Sequence, residues 1–443
     1  MQRKLLLSGE AKLGVWGLGY VGFSTMANFA VNGVTCVGTD VSRDTVEAVN
    51  AGQVPVRNLD EWLGFPVKPL VDSGMMKATL NWSDLINNGV AVHMVAVPTE
   101  KGDEPWDGAL IDVTEKIAEN DPPASDIQRP LIIIESTLTP NRTDEVVIPR
   151  FERAGLKVGR DILLGVAPRR DWFVNRGMSL KSLPRIVGGT SPEATEAMID
   201  VLSIVCDHLV PAPDHRHAEL VKSVENAYRH MDITLANQLS LAFPNVNMTE
   251  VLRLVGTKWN LETYHPSFGT GGYCIPVSSK YLLQGAERSG ELTLLKAAIE
   301  TDCSMPFRVA DCLIKHGAKN VGILGLAYKG DLKVHTLSPT LKIVKHLRAN
   351  KIHVKVHDPY YSADEIKRIV GVGTFAFPDG LREFDAVVIV ARHRAYRSLP
   401  DAAIIRNLGD CKLVLDNLEE TWSRIDWSVL DIEYHVAGDK NWL

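Results

Sequence analysis

Short apolar runs alternate with helical patterns along most of the chain. Leu13–Trp16 predicts a strand, and Phe23, Met26, Ala27 and Ala30 then recur at helical spacing up to Gly33. Val34–Thr39 predicts a second strand ending at Asp40, which completes a strand–helix–strand unit. Runs at Val90–Val97, Leu131–Ile134 and Ile162–Val166, separated by helical patterns, predict a parallel, doubly wound sheet. Helices then dominate. One begins around Pro192, and after the turn residues Pro211, Ala212, Pro213 and Asp214 a long pattern runs from about His215 to Phe243 without glycine or proline. Thr249–Val255 and Leu292–His316 predict two more. From Asn320 the α/β pattern returns, with strands at Val321–Leu324, Ile352–His357, Ala386–Val390 and Leu413–Leu415 and a helix at Ser338–Arg348. The expected division is therefore an α/β domain over 1–210, a helical linker over 211–317 and a smaller α/β domain over 318–443.

Composition fits that reading. A chain of 443 residues, 45% hydrophobic and 23% charged, has material for two or three cores. The net charge of −6 argues against general nucleic-acid binding. The six cysteines are scattered without CxxC spacing, so neither a disulfide framework nor a zinc site is expected, and the usage fits a reducing cytoplasm. Arg3 and Lys4 are followed only by Leu5–Leu7, far short of a signal-peptide core. No apolar run approaches the roughly 18 residues needed to span a membrane.

The first strand runs into Gly17-Leu18-Gly19-Tyr20-Val21-Gly22, a GxGxxG in the context that gives it meaning, with a strand before, a helix after and Asp40 at the end of the next strand. The glycines permit a tight turn with a pyrophosphate on the helix N-terminus, and Asp40 can accept hydrogen bonds from both ribose hydroxyls. An acid there disfavours a 2′-phosphate, so NAD is expected over NADP. Arg43 is the nearby cation. Thr99 and Thr137 stand at strand ends, where they either touch cofactor or substrate or cap following helices.

Cys274 follows Gly269, Gly271 and Gly272, a loop able to hold a reactive thiolate, the alternative being one more small buried hydrophobe as most free cysteines are. Glu219, Lys222, Asn226 and Arg229 share one face of the long helix, a polar face of the kind that is usually solvated.

Together these stretches resemble the UDP-glucose/GDP-mannose dehydrogenase family over nearly the full length. The matching stretches are GLGYVG at 17–22, VPT at 97–99, EST at 135–137, LPRIVGG at 183–189, AELVKSVENAYR at 218–229, GTGGYCIP at 269–276, MP at 305–306, GLAYKGD at 325–331, SP at 338–339 and HDPY at 357–360. The resemblance implies two Rossmann-like domains joined by a central helix and a helical linker that forms a homodimer. It also implies an NAD cofactor and a UDP-linked sugar substrate, closest in wording to the UDP-N-acetylhexosamine branch. The implied chemistry is oxidation of a primary alcohol to a uronate with two NAD and a cysteine thioester. Cys274 then stands at the nucleophile position, Lys222 and Asn226 at those that stabilise the oxyanion, and Thr137 near the nicotinamide and catalytic water. Tyr20 and Val21 fall within the dinucleotide loop. Phe268, Gly271, Gly272 and Tyr273 match the loop around the nucleotide-sugar, and Lys329 a substrate-contacting lysine.

Three positions depart from the family pattern. Ser278 stands where the family has an aspartate four residues after the cysteine, Arg169 where it has a glutamate implicated in thioester hydrolysis, and Thr336 where it has a cofactor-contacting arginine. Serine is no base near neutral pH and arginine is a fixed cation, so two acid/base groups are lost, a change that commonly costs about 10²–10⁴ in rate. Asp171, His265 and Asp331 are the nearest substitutes, and Arg169 is expected to meet a charged group on the substrate. The alternatives are an enzyme of altered chemistry, stopping after two electrons or epimerising a nucleotide-sugar or nucleotide-uronate, and a binding protein with a dead site.

Overall fold

Strand Lys12–Trp16 (β1) is buried along Leu13–Trp16, as a central strand of a parallel sheet must be. In the computed structural model, which describes residues 1–56, 59–86, 89–120, 129–171, 173, 177–418 and 421–443, it belongs to the first of two units. That unit comprises Met1–Glu225 and Lys280–Ser289. Its strands continue with Cys36–Thr39 (β2), Met76–Thr79 (β3) and Val90–Val95 (β4), then a small hairpin of Glu100–Lys101 (β5) and Glu104–Pro105 (β6). Leu131–Ile134 (β7), Leu163–Val166 (β8), Arg185–Gly189 (β9) and Leu209–Pro211 (β10) complete the sheet, ordered β10-β9-β8-β7-β4-β1-β2-β3.

The run β3-β2-β1-β4-β7-β8 is the doubly wound order whose switch point, between β1 and β4, opens a crevice at the carboxyl ends of the strands. Helix Tyr20–Val31 covers one face, burying Phe23, Met26, Ala27 and Phe29. His93 on β4 is a core histidine, accepting at 3.2 Å from the indole N–H of Trp16. The expected parallel sheet carries one antiparallel pair toward its edge. β9 runs antiparallel to β8, pairing Val166 with Gly188, and then parallel to β10. The N-terminal Leu5–Leu7 triplet lies in a helix, Gln2–Ser8, that buries Leu6.

The second unit comprises Asn226–Ser279 and Gly290–Leu443. Its sheet contains Asn320–Leu324 (β11), His353–His357 (β12), Ala386–Ile389 (β13), Leu413–Asp416 (β14) and Glu433–Val436 (β15). The order is β12-β11-β13-β14-β15, wholly parallel, with its switch point between β11 and β13. The long helix spans His215–Ala242, so its first turns belong to the first unit and the rest to the second. The segment expected as a separate helical piece over 211–317 is thus shared between the two units. Helix Thr293–Lys315 continues through Pro306, which the helical spacing alone did not flag.

Among the described residues no helix is long and apolar enough to cross a membrane, and no group of three or more His, Cys, Asp or Glu side chains is placed to hold a metal ion.

One buried acid gives the second unit a pH dependence. Asp416, at the end of β14, accepts from the Tyr434 hydroxyl at 2.8 Å, yet burial pushes its carboxyl up to about 7. The folded state therefore favours the protonated acid, and the stability it contributes is complete below the unfolded value of about 4 and lost as pH rises through about 7. Asp416→Asn should show an unfolding free energy in denaturant whose gain over the native chain grows from about pH 5 to about pH 8, by an amount on the order of a few kcal/mol. A difference that stays constant across that range contradicts this assignment.

Candidate functional site

In the first unit the dinucleotide motif has its expected shape. Gly17 follows β1 with φ 86°, and a Cβ there would lie 2.5 Å from the Ala96 carbonyl oxygen. A Cβ on Gly22 would lie 1.9 Å from the Gly17 carbonyl oxygen, so only glycine lets the helix close on the turn. Gly19 caps Tyr20–Val31 and has open space where a Cβ would point, which leaves room for a ligand over the helix N-terminus. Tyr20 and Val21 are the first two helical residues, with Tyr20 leaning on Phe173 at 5.4 Å between ring centres. Asp40 is half-buried at the end of β2. One of its oxygens accepts from the Leu18 N–H at 2.7 Å and the other from the Ser42 N–H at 2.9 Å. Arg43 turns to Glu47, 3.7 Å away on the same exposed helix face. The loop, the acid and the open position over Gly19 together fit an NAD pyrophosphate and ribose.

Thr99 and Thr137 meet, though neither caps a helix. The buried Thr99 hydroxyl donates to the Thr137 carbonyl oxygen at 2.6 Å and lies 2.9 Å from the Tyr281 hydroxyl. Thr99 thus acts as a tie between the ends of neighbouring strands rather than as an open side-chain contact. Burial raises the Tyr281 hydroxyl's pKa, keeping it protonated. The half-buried Thr137 sits where the tie ends.

Arg169 departs most from expectation. Its side chain is 3% exposed and bonded to Asp171 at 2.5 Å, to the Ser24 hydroxyl at 3.1 Å and to the Thr25 hydroxyl. Glu135 lies 3.8 Å away and is also held by Arg185 at 2.5 Å and by Thr25 at 2.7 Å. The expected contact between Arg169 and a charged group on the substrate is corrected accordingly. Its charge is already met by buried carboxylates of its own unit, and Asp171 is spent as its partner. The cluster fastens the helix that follows the dinucleotide loop, because Arg169 also donates to the Val21 carbonyl oxygen at 3.3 Å.

Lys222 is half-buried on the long helix, and among the described residues no carboxylate pairs with it. Three residues before it, Glu219 is buried and accepts from the Asn141 and Thr143 N–H groups at 2.8 and 2.9 Å. The polar face expected to be solvated is therefore buried in large part. Glu219, Ser223, Asn226, His230, Thr234, Asn237 and Ser240 are all 3% exposed or less, and of the four residues singled out from the sequence only Arg229 is exposed. The missed members recur at the same spacing of three and four, a signal that was present in the sequence.

In the second unit Cys274 is the one cysteine of the six that is exposed, with Cys303 partly so. Cys274 lies two residues before helix Pro276–Gly285, whose first turn is tied back to the loop by the Val277 N–H, which donates to the Tyr273 carbonyl oxygen at 3.2 Å. Asn226 is buried and donates from its amide to the Ser278 hydroxyl at 2.9 Å, so Ser278 occupies the aspartate position as a hydrogen-bond acceptor. Gly272 has φ 77°, its N–H donates to the Thr336 carbonyl oxygen at 2.8 Å, and a Cβ there would lie 2.9 Å from the Tyr328 ring. Gly271 packs beneath Tyr328 in the same way, so these glycines accommodate a neighbouring loop. Tyr273 is 44% exposed beside Cys274. Phe268 is a correction, because it is fully buried, stacked on Trp442 at 6.0 Å, with its N–H held by Asn417 at 2.6 Å. Its side chain belongs to the core rather than to a surface around a sugar.

Lys329 is half-buried in the loop after β11. Burial and the Arg229 guanidinium both push its pKa down. Of the proposed substitutes for the lost acids, Asp331 has φ 60° and bonds the Arg394 N–H and Arg397 at 2.7 and 3.1 Å, while His265 is exposed.

Removing Arg169 leaves Asp171 buried without its cation and Glu135 with Arg185 alone, so Arg169→Met should lower stability by about 3–5 kcal/mol in denaturant unfolding. Arg169→Glu should lose at least as much. A glutamate variant as stable as the native chain would contradict this account of the cluster.

Comparison with known proteins agrees with the geometry of both units. Residues 11–205 match the NAD binding domain of the UDP-glucose/GDP-mannose dehydrogenase family, 216–303 its central domain and 322–419 its UDP binding domain. The UDP-N-acetyl-D-mannosamine dehydrogenase of Pyrococcus horikoshii is 28% identical over 91% of this chain and 94% of its own length. The UDP-N-acetyl-D-glucosamine 6-dehydrogenase of Pseudomonas aeruginosa is 27% identical over 93% of this chain and 97% of its own. A solved structure of the Pyrococcus horikoshii UDP-D-ManNAc dehydrogenase superposes with a TM-score of 0.83 at 27% identity, covering 97% of this chain and all of that one. The chain belongs to the UDP-glucose/GDP-mannose dehydrogenase family and is an NAD-dependent nucleotide-sugar dehydrogenase.

Proposed function

We propose that this chain oxidises the primary alcohol of a UDP-N-acetylhexosamine to the uronate, with Cys274 as the covalent nucleophile. The observation that carries this reading is the exposed Cys274 thiol at the start of helix Pro276–Gly285, within four residues of the Asn226–Ser278 hydrogen bond. The N-acetylhexosamine part rests on the substrates named for the two relatives above.

Overall, one alcohol, one water and two NAD give one carboxylate, two NADH and three protons. NAD supplies the hydride acceptor in both oxidations, and Gly17, Gly19, Tyr20, Val21, Gly22 and Asp40 are the residues that would hold it. After the first oxidation the Cys274 thiolate adds to the aldehyde carbon, forming a C–S bond and an oxyanion. Lys222 is assigned to that oxyanion as a cation, and Asn226 through the amide N–H not given to Ser278. Loss of a second hydride converts the thiohemiacetal to a thioester, and water attacking that carbonyl releases the carboxylate and returns the thiolate. Thr137 is assigned to the reacting end of the cofactor and the water. Lys329, with Arg229 beside it, is assigned to the diphosphate, and Gly271, Gly272 and Tyr273 to the wall of the sugar site.

One observation favours a second reading. The two family positions for water activation carry Ser278, which accepts a bond from Asn226, and Arg169, which is saturated by carboxylates. An enzyme of this build could stop at the aldehyde or oxidise transiently during epimerisation. Counting NADH per sugar with UDP-N-acetylglucosamine, UDP-N-acetylmannosamine and the corresponding uronates separates the two. The thioester route gives two NADH per alcohol, and Cys274→Ala should lower uronate formation by at least about 10³. One or zero NADH, or a Cys274→Ala protein with full turnover, rejects it.

The same unit supports assembly as a homodimer. Tyr228 and Leu235 on the long helix, with Leu254 and Trp259 beyond it, are 63, 54, 54 and 92% exposed, more apolar surface than a solitary helical face usually leaves in water. Leu235→Asp with Trp259→Asp should convert a dimer to monomers in sedimentation equilibrium. An unchanged mass for the double variant contradicts this interface.

A further inference from the structure

The loop that bears Cys274 is fastened on both sides to one buried pair. On its N-terminal side Thr270, four residues before the cysteine, gives Asp302 two hydrogen bonds, from its N–H at 2.7 Å and its hydroxyl at 2.6 Å. On its C-terminal side Ser279, five residues after the cysteine, lies 2.8 Å from Nδ1 of His230. The two anchors meet, because Nε2 of the same imidazole stands 3.5 Å from the Asp302 carboxylate. His230, Ser279 and Asp302 are 1, 0 and 5% exposed, and all of these residues belong to the second unit.

Burial of this depth is costly for a histidine and a carboxylate unless both are well used. Burial alone would raise the Asp302 carboxyl, but the His230 imidazole and the two Thr270 bonds outweigh it and hold the group below its ordinary value. Asp302 is therefore a buried anion hydrogen-bonded to the cysteine loop and set 3.5 Å from the imidazole carried by the long helix. Neither His230 nor Asp302 has the exposure needed to touch a substrate. Both lie one bond from residues that flank the nucleophile.

We infer that His230 and Asp302 are positioning residues that set the place of Cys274 by clamping Thr270 and Ser279. The inference rests on the reading of Cys274 as nucleophile. It adds the reason why an exposed loop holds its thiol still enough to meet an aldehyde carbon, where a displacement near 1 Å can cost about a hundredfold. The clamp also gives the long helix a second use. Asn226 reaches Ser278, and one turn further His230 reaches Ser279, so consecutive turns of one helix grip consecutive residues of the cysteine helix.

The test uses the full-length protein and variants that change the clamp without changing Cys274. His230→Asn keeps a polar atom toward Ser279 but is too short to reach Asp302, and Asp302→Asn keeps the shape but removes the charge. Each should lower kcat by about tenfold to a hundredfold while leaving the KM for NAD within about twofold, because the dinucleotide loop belongs to the other unit. Each should also slow iodoacetamide alkylation at Cys274 in the resting protein severalfold, read by mass spectrometry of that peptide. Thr270→Val and Thr270→Ser form a milder pair should the buried variants fail to fold. Valine should show the same loss and serine should retain native rates. Native kcat and native alkylation in the folded clamp variants, with Cys274→Ala inactive, would overturn the clamp and leave the nucleophile reading intact. Full activity in Cys274→Ala would overturn that reading and the clamp with it.

Discussion

A buried polar atom costs free energy unless it is paired, and the long helix presents such atoms to the interior turn after turn. Glu219 finds the backbone N–H groups of Asn141 and Thr143, Asn226 finds Ser278, His230 finds Ser279, and Asn237 accepts from the Ser267 N–H at 2.7 Å. Those partners in the second unit lie in the loop before Cys274 and in the short helix after it. The demand for hydrogen-bond satisfaction thus fixes backbone that glycines would otherwise leave free. An apolar helix face could have packed as tightly, but without specifying which loop residue sits opposite each turn.

Each unit repeats a device at a different depth. In the first, the acid ending β2, Asp40, accepts from the N–H after the glycine that follows β1. In the second, Asp358 after β12 accepts from the Leu326 and Ala327 N–H groups, both at 2.9 Å, just beyond Gly325. Asp40 stays half-buried, within reach of a ribose. Asp358 is sealed in, and His393 takes up the same oxygen at 3.1 Å. The second acid serves the fold.

How far the sequence could be read depended on whether the determining contacts were local. The dinucleotide loop was legible because its glycines answer to neighbours only a few residues away, and strand, turn, helix and acid all follow in one short stretch. The parallel strands were legible from apolar runs buried on both faces. β9 escaped notice because only Ile186 and Val187 mark it among glycines. The polar helix face was misjudged because spacing says which residues share a face and not whether that face meets water. Arg169 was misjudged for a related reason: Glu135 and Ser24 lie far from it in sequence, so nothing local announced that its charge was already balanced. Phe268 reads as part of a ligand loop until Trp442, from the far end of the chain, is seen stacked against it.

The departures at Arg169 and Ser278 now carry different meanings. Arg169 has become part of the scaffold under the dinucleotide helix, whereas Ser278 still faces the residue to which oxyanion binding is assigned, as a hydroxyl that accepts rather than a carboxylate that takes a proton. Everything chemical then turns on whether sulfur bonds to carbon during turnover. The most direct measurement is rapid-quench mass spectrometry of the native protein mixed with a UDP-N-acetylhexosamine and NAD. The account predicts a transient adduct with the mass of the uronyl nucleotide on the peptide bearing Cys274. Steady uronate production with no adduct at any quench time, even when NAD-limited enzyme is trapped with hydroxylamine, would contradict it.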